Sequence, residues 1–301
     1  MSGLQENPPQ SGFLLVIAGT VLFSSKAILI KFLYYYDISP LELQALRMLA
    51  VAPCYALILG WLIWQSGWPA ISKRELLGCT LAGIACYHIA SYLDFVGLVY
   101  ISAGLERIIL FCYPLIAILF GKWFLKESLP SNVWYALAAS YAGIILFFYA
   151  DSLFGGQQLL FGSLLVFAAS VLTAWYMVAN QQYSRRFGSQ RFTCLAMLAA
   201  CASLLCHAFV VESVTISQFT GEVYWGAAAL ALFCTLIPSF LVSAGVRRIG
   251  ASRAGVVGTV GPLFTVVVSN IMLDEPVTGT HLAGLLLVLT GMWLLRQGRR
   301  D

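Results

Sequence analysis

The stretch YISAGLERIILFCYP, residues 100–114, decides the fold when it is set above RIGASRAGVVGTVGP, residues 248–262. At a constant offset of 148, Ala103 meets Ala251, Pro114 meets Pro262 and Leu115 meets Leu263. The register runs on without a gap to Glu127 over Glu275 and Gly143 over Gly291. Upstream, ALRMLA (45–50) matches CLAMLA (194–199) at an offset of 149. The chain is therefore two copies of one pattern. The copies differ where it matters chemically: Glu106 and Arg107 stand opposite Ala254 and Gly255.

The pattern is built for lipid. Of 301 residues, 60% are hydrophobic and 10% charged, with a mean hydropathy of +0.86, whereas a soluble domain carries about 25% charged residues. Runs such as 12–25, 48–64, 223–246 and 279–295 are long and nearly charge-free, close to the ~20 residues that cross a hydrocarbon core as helix. MSGLQENPPQ has no basic n-region and no small-residue cleavage site follows, so the first apolar run is expected to be a retained helix and not a signal peptide. The eight cysteines lie in apolar segments without CxxC spacing, which predicts neither a disulfide frame nor a zinc site. His88, His207 and His281 show no metal-ligand spacing. No metal and no cofactor are expected, and no nucleic-acid partner.

Apolar length, with Pro, Gly and charge as punctuation, predicts an all-α polytopic membrane protein of ten transmembrane helices: 12–34, 41–64, 76–98, 101–124, 131–150, 159–180, 190–211, 223–246, 252–273 and 279–296. The domains are a tail at 1–11, a five-helix repeat at 12–150, a second at 159–296, and a tail at 297–301. Five is odd, so the second repeat enters the membrane inverted. The end shared by both termini holds thirteen Lys and Arg residues against Lys31 alone at the other. The positive-inside rule then places both termini in the cytoplasm of an inner (cytoplasmic) membrane. Inverted repeats point to alternating access, with substrate held between the halves.

The ten-helix plan, the two halves and the repeated spacing Pro114–Glu127–Gly143 and Pro262–Glu275–Gly291 resemble the EamA family of the drug/metabolite transporter superfamily. The resemblance covers residues 12–296 or so and implies an inverted-repeat carrier, often an exporter of small metabolites, amino acids among them. It names no substrate.

Five charges form one layer near the outer end of the first four helices. At about 1.5 Å per residue, Glu106 and Arg107 lie about 8 Å deep, Asp94 about 6 Å, and Lys26 and Arg47 about 9–12 Å. Each is costly in a membrane helix, by about 2.5–3.5 kcal/mol at its centre, and such residues usually mark substrate or proton paths. Two carboxylates among three cations leave one cation free for a substrate anion. Arg47 and Arg107 are the expected anion contacts, with Tyr87, Ser91 and Tyr113 beside them. Glu106, Asp94 and Lys26 are the expected charge balancers or proton-coupling groups, with His88 nearby. The alternative is an ion-pair network that only locks helices together. AWYMVAN (174–180) offers Trp175, Tyr176 and Asn180 as cavity wall, or as interfacial aromatics with a helix-end amide. Pro114, Pro262 and Gly258 read as hinge or packing residues, and Glu127 and Glu275 as caps or interfacial anchors.

No GxxxxGK[ST] loop is present, so a carrier would run on an ion gradient or on its substrate's own gradient. The expected function is a secondary transporter, not an enzyme, exporting a small polar or zwitterionic metabolite, with protons as the candidate coupling ion. A lipid flippase-like carrier, an intramembrane acid–base enzyme using Asp94 and Glu106, and a membrane scaffold stay open beside it. The oligomeric state is left open.

Overall fold

The computed structural model describes residues 10–68, 71–126, 131–154, 156–211, 218–249, 254 and 257–297. Among these the chain is helical without strands. Hydrocarbon offers no partner for a free N–H or C=O, so a spanning segment satisfies its backbone within itself, as helix. The helices are α1 (Gln10–Tyr34), α2 (Pro40–Ser66), α3 (Lys73–Gly83, a π-helical Ile84–Ala90, and Ser91–Tyr100), α4 (Ala103–Leu110 and Tyr113–Leu125), α5 (Val133–Ser152), α6 (Leu159–Phe187), α7 (Ser189–Val210), α8 (Gly221–Ala231, a π-helical Leu232–Leu236, and Ile237–Ile249), α9 (Val260–Leu273) and α10 (Gly279–Gln297). Eight of them are long and apolar enough to cross a membrane, and the apolar stretches Val260–Leu273 and Gly279–Leu295 are shorter. The protein is a multi-pass membrane protein. The expected helix at 252–273 is described as continuous helix only from Val260, because 251–253 and 255–256 lie outside the described residues. Glu127, Arg253, Gly255 and most of both tails lie outside them too.

Local signals set the starts. Ser39 and Ser72 each accept from the backbone N–H three residues on, and Glu42 and Glu75 reach back to them, two capping boxes that satisfy N–H groups the helix leaves free. The sequence reading began both helices later, at 41 and 76. It ended the sixth at 180, whereas α6 continues to Phe187 and carries Arg186 to Glu75.

Packing reproduces the repeat in three dimensions. α5 pairs with its own mate α10, and α2 with α7, while α1 lies on α8 and α9 as α6 lies on α3 and α4. Glycines set the close crossings. A Cβ at Gly143 would sit 2.6 Å from the carbonyl oxygen of Gly284, and one at Gly291 would sit 2.6 Å from that of Ala136. These contacts exchange under the 148 offset. A second exchanging pair joins Gly97 to Gly162 and Gly245 to Gly12, with Cβ–carbonyl approaches of 3.0 and 2.9 Å. Close backbone approach is how helices gain dispersion energy when lipid supplies no hydrophobic drive between them.

The irregularities repeat as well. The π-helical segments begin at Ile84 and Leu232, 148 apart. α4 breaks at 111–112 and α9 is preceded by a turn at 258–259, in each case shortly before Pro114 or Pro262. Lys126 and Asp274 both end their helices in the left-handed region, with φ of 57° and 53°. At one end, here called terminal, Arg248 donates to Ser11 at 3.0 Å, Arg186 pairs with Glu75, and Arg191 donates to Ser66. At the other, the distal end, Lys31, Ala103, Asp151, Glu275 and His281 converge. Successive helices therefore run antiparallel between two faces, and two apolar clusters fill the distal half: one from α1–α4 and α8, one from α4–α6, α9 and α10.

Candidate functional site

The five charges meet. Lys26 of α1 binds Asp94 Oδ2 of α3 at 2.5 Å and lies 3.6 Å from Glu106 Oε1 of α4. Glu106 is 0% exposed, Asp94 2% and Arg47 4%. Both carboxylates thus share one ammonium, and among the described residues neither arginine has a carboxylate within ion-pair distance. Arg47 of α2 donates to Ser91 Oγ at 2.8 Å and lies over the Phe95 ring, 4.9 Å from its centroid, a cation–π contact in a dry setting. Arg107 donates to the Phe23 carbonyl of α1 at 2.6 Å.

α1 is the hub of this arrangement. Over four residues it supplies the Phe23 carbonyl to Arg107, the Ser24 carbonyl to Thr265 of α9 at 3.2 Å, and the Lys26 ammonium. It thereby joins the charged group of the first repeat to the second. At the 148–150 offsets, the five charges correspond to Tyr176, Ala196, Val242, Ala254 and Gly255, none of them charged. The fold does not require the charges twice.

Hydrogen-bond accounting singles out the same place. Gln44 Oε1, Arg47 Nε, Asp94 Oδ1, both oxygens of Glu106 and Arg107 Nε are buried with no hydrogen-bond partner; elsewhere among the described residues only the Ser140 and Ser163 hydroxyls share that condition. Each such group costs about 1–3 kcal/mol, and native structures keep few. Six of the eight thus fall on α2, α3 and the first piece of α4, two donors and four acceptors.

Gln44 was not foreseen. It is fully buried and donates to the carbonyls of Tyr87 and His88 at 3.2 and 3.3 Å, inside the π-helical turn of α3 where the regular ladder is interrupted. The available signal was its spacing, three residues before Arg47 on one face of α2. In the second π segment Thr235 does the equivalent work locally, donating to the Leu230 carbonyl at 3.1 Å.

The side chains of Tyr87, Trp175, Tyr176 and His88 make their contacts outside the five charges. Tyr87 and Tyr176 meet through their hydroxyls at 3.1 Å with rings edge-to-face. They sit with Trp175 in a cluster of α3, α6 and α7, and Asn180 is one turn further along α6. His88 faces α7, with Ser203 Oγ at 2.9 Å and His207 at 3.2 Å, and not the carboxylates. Tyr113 opens the second piece of α4, with Pro114 next to it at the break. Gly258 lies in the turn before α9, and Pro262 is buried within it. Glu275 accepts from the N–H groups of Ala103 and Gly104 at 2.9–3.4 Å, a cap supplied by one repeat to a helix of the other. No group of three or more His, Cys, Asp or Glu side chains converges as a metal site among the described residues.

Comparison with known proteins yields one consistent picture. The model of the EamA-like transporter family matches twice, over residues 10–149 and 160–297, the two repeats read from the sequence. The uncharacterized transporter YcbK of Bacillus subtilis is 28% identical, over 97% of this chain and 96% of its own. The uncharacterized transporter sll1319 of Synechocystis is 26% identical, over 94% and 92%. An uncharacterized transporter of Archaeoglobus fulgidus is 25% identical, over 95% and 99%. A solved crystal structure shares the fold with a TM-score of 0.66 at 16% identity, covering 97% of this chain and 99% of that one.

Proposed function

Because the chain belongs to the EamA-like transporter family, we propose that it is a secondary carrier for a small zwitterionic or polar metabolite, bound by the buried group on α1–α4 and moved outward by alternating access. The observation that carries this reading is the set of six unpartnered buried atoms. The Nε–H groups of Arg47 and Arg107 call for an anionic acceptor. Asp94 Oδ1, the Glu106 oxygens and Gln44 Oε1 call for donors, such as an ammonium. A zwitterion satisfies both sets, and the desolvation already imposed on the arginines makes such contacts stronger than in water.

The termini then lie in the cytoplasm and the distal end outside, by the charge asymmetry of the loops. One ammonium serves two buried carboxylates while both arginines are bonded to other groups, so a second cation has a place beside Glu106. A substrate ammonium takes that place in the loaded carrier, and a proton on Glu106 takes it in the empty one. Substrate and proton therefore compete for one place, which couples their movements in opposite directions. Breaks in α4 and α9 beside Pro114 and Pro262 provide the discontinuities at which inverted repeats rock.

The test compares the medium of cells overproducing the wild type or Glu106→Gln at equal membrane abundance, scanning small metabolites without choosing one beforehand. A zwitterionic or polar compound enriched by the wild type alone is the expected result. Equal enrichment by both proteins returns Glu106 to a purely structural role.

A further inference from the structure

The distal end holds a second polar cluster that the binding group does not use. Helix α4 begins there with Ser102, whose hydroxyl accepts from the Leu105 N–H at 3.0 Å and donates to Asp151 Oδ2 of α5 at 2.6 Å. Asp151 Oδ1 takes a second bond from His281 Nε2 of α10 at 2.9 Å, while His281 Nδ1 accepts from the Thr278 N–H at 3.0 Å. Since Nδ1 is an acceptor, Nε2 carries the proton toward Asp151. Glu275, between α9 and α10, binds the N–H groups of Ala103 and Gly104 and is itself held by Lys31 of α1 at 2.9 Å. Its loop is set by Asn270, which donates to the Glu275 carbonyl at 2.7 Å. Ser102, Gly104, Asp151, Val266 and Glu275 help line a cavity of about 10 Å³ at this point, room for about one water.

All these bonds converge on one short element. The first piece of α4, Ala103–Leu110, is eight residues long, ends at the 111–112 turn, and carries Glu106 and Arg107. It is a stiff segment fastened at its distal tip and jointed at its base. Ser102 alone already caps it in the ordinary way, so helix formation does not call for Glu275 or the Asp151–His281 pair. Nor does the fold call for the Asp151–His281 pair: under the repeat offsets Lys31, Ser102, Asp151 and His281 correspond to Gln181, Gly250, Arg299 and Val133. Glu275 keeps its residue in the repeat, as Glu127, which lies outside the described residues.

We infer that Ala103–Leu110 is the distal gate of the substrate path, and that Glu275, Asp151 and His281 are its latch. This deepens the carrier reading and rests on it for the identity of the path. When the gate swings about the 111–112 joint, the Glu275–N–H and Asp151–Ser102 bonds break and Glu106 and Arg107 move with the segment. With these bonds made, the carrier is closed to the outside and loads from the terminal side, the state an exporter returns to after each cycle. Glu275, Asp151 and His281 are positioning residues that act through α4, without touching substrate.

The experiment uses full-length protein in intact cells and a membrane-impermeant maleimide. The reporter is Val266→Cys on α9, a buried cavity-lining position outside every latch bond, read against the same chain without it. With the latch intact the reporter is expected to label slowly. Adding Glu275→Gln or His281→Gln is expected to raise the labelling rate about tenfold or more, the population shift expected from losing a charge-assisted or buried hydrogen bond that exists in one state alone. Ser102→Ala keeps every charge and moves the rate in the same direction, which covers the case in which a charge variant fails to fold. Labelling that is fast with the latch intact, or no faster in all three variants at wild-type abundance, overturns the gate. Faster labelling in the latch variants, with the wild type and Glu106→Gln enriching the medium equally, leaves the gate standing and removes the binding role of Glu106, so the two ideas fail separately.

Discussion

Lys26, Arg47 and Arg107 are all cations in apolar helices, yet their surroundings assign them different work. Lys26 sits between two buried carboxylates. Removing it leaves both without a cation, and breaking a buried pair from one side costs about 3–5 kcal/mol. Lys26→Met is expected to lose that much in unfolding of the purified protein, or not to accumulate. Arg107 is different, because its guanidinium has no carboxylate partner and keeps an unbonded Nε. Arg107→Gln is expected to leave stability within about 1 kcal/mol while lowering export about tenfold or more. In the proposed carrier, Glu106→Gln removes the place for which substrate and proton compete. Any remaining transport is expected to lose its dependence on the proton gradient, measured as counterflow in vesicles with and without a pH step. The charges themselves were legible in the sequence because charge is rare and expensive in such helices. Their pairing was not. The long lysine side chain chooses among partners by rotamer, which no spacing encodes, so the expectation of two paired cations gave way to one lysine serving two carboxylates. Gln44 escaped notice because a lone amide in a membrane helix resembles any tolerated polar residue until the π-helical turn beside it is known.

At the scale of elements, small residues matter where backbones touch. Gly143 meets the Gly284 carbonyl, whereas Gly60 on α2 has nothing within 4 Å of where a Cβ would be. Gly143→Leu is expected to force α5 and α10 apart and cost at least the ~1–3 kcal/mol of an overpacked core; Gly60→Leu, facing open space, is expected to be neutral. Thermal unfolding of the two variants in one detergent checks the contrast, and equal losses would remove the crossing from the account. The 148 offset put Gly143 and Gly291 in register but did not show that their helices cross each other. The π-helical segments were invisible to the same reading. An extra residue per turn leaves the apolar pattern almost unchanged, and only the displaced carbonyls bonded by Gln44 reveal it. The turn at 258–259 was missed likewise, because apolar composition continues through it.

The whole molecule combines a symmetric frame with an asymmetric content. The frame is two repeats whose helices cross at exchanging glycine contacts. The contents differ between the halves: the buried charges Lys26, Arg47, Asp94, Glu106 and Arg107 all lie in the first repeat, and Asp151 pairs with His281 at the distal end. The two-repeat plan was readable because duplication leaves a fixed offset. The asymmetry was half readable, since the sequence showed Asp151 and His281 but not that a 2.9 Å bond joins them across the repeats. The measurement that tests the central claim most directly is ligand-induced stabilisation. The compound identified in the medium is added to purified wild type, Arg47→Gln and Arg107→Gln, and unfolding is followed with and without it. At about 100 times its dissociation constant a bound ligand adds about 2.7 kcal/mol. The account predicts that gain for the wild type, its loss in both variants, and unliganded stabilities close to wild type. Variants that are markedly destabilised on their own, yet still gain from the compound, would make the buried charges a structural lock and place the substrate elsewhere.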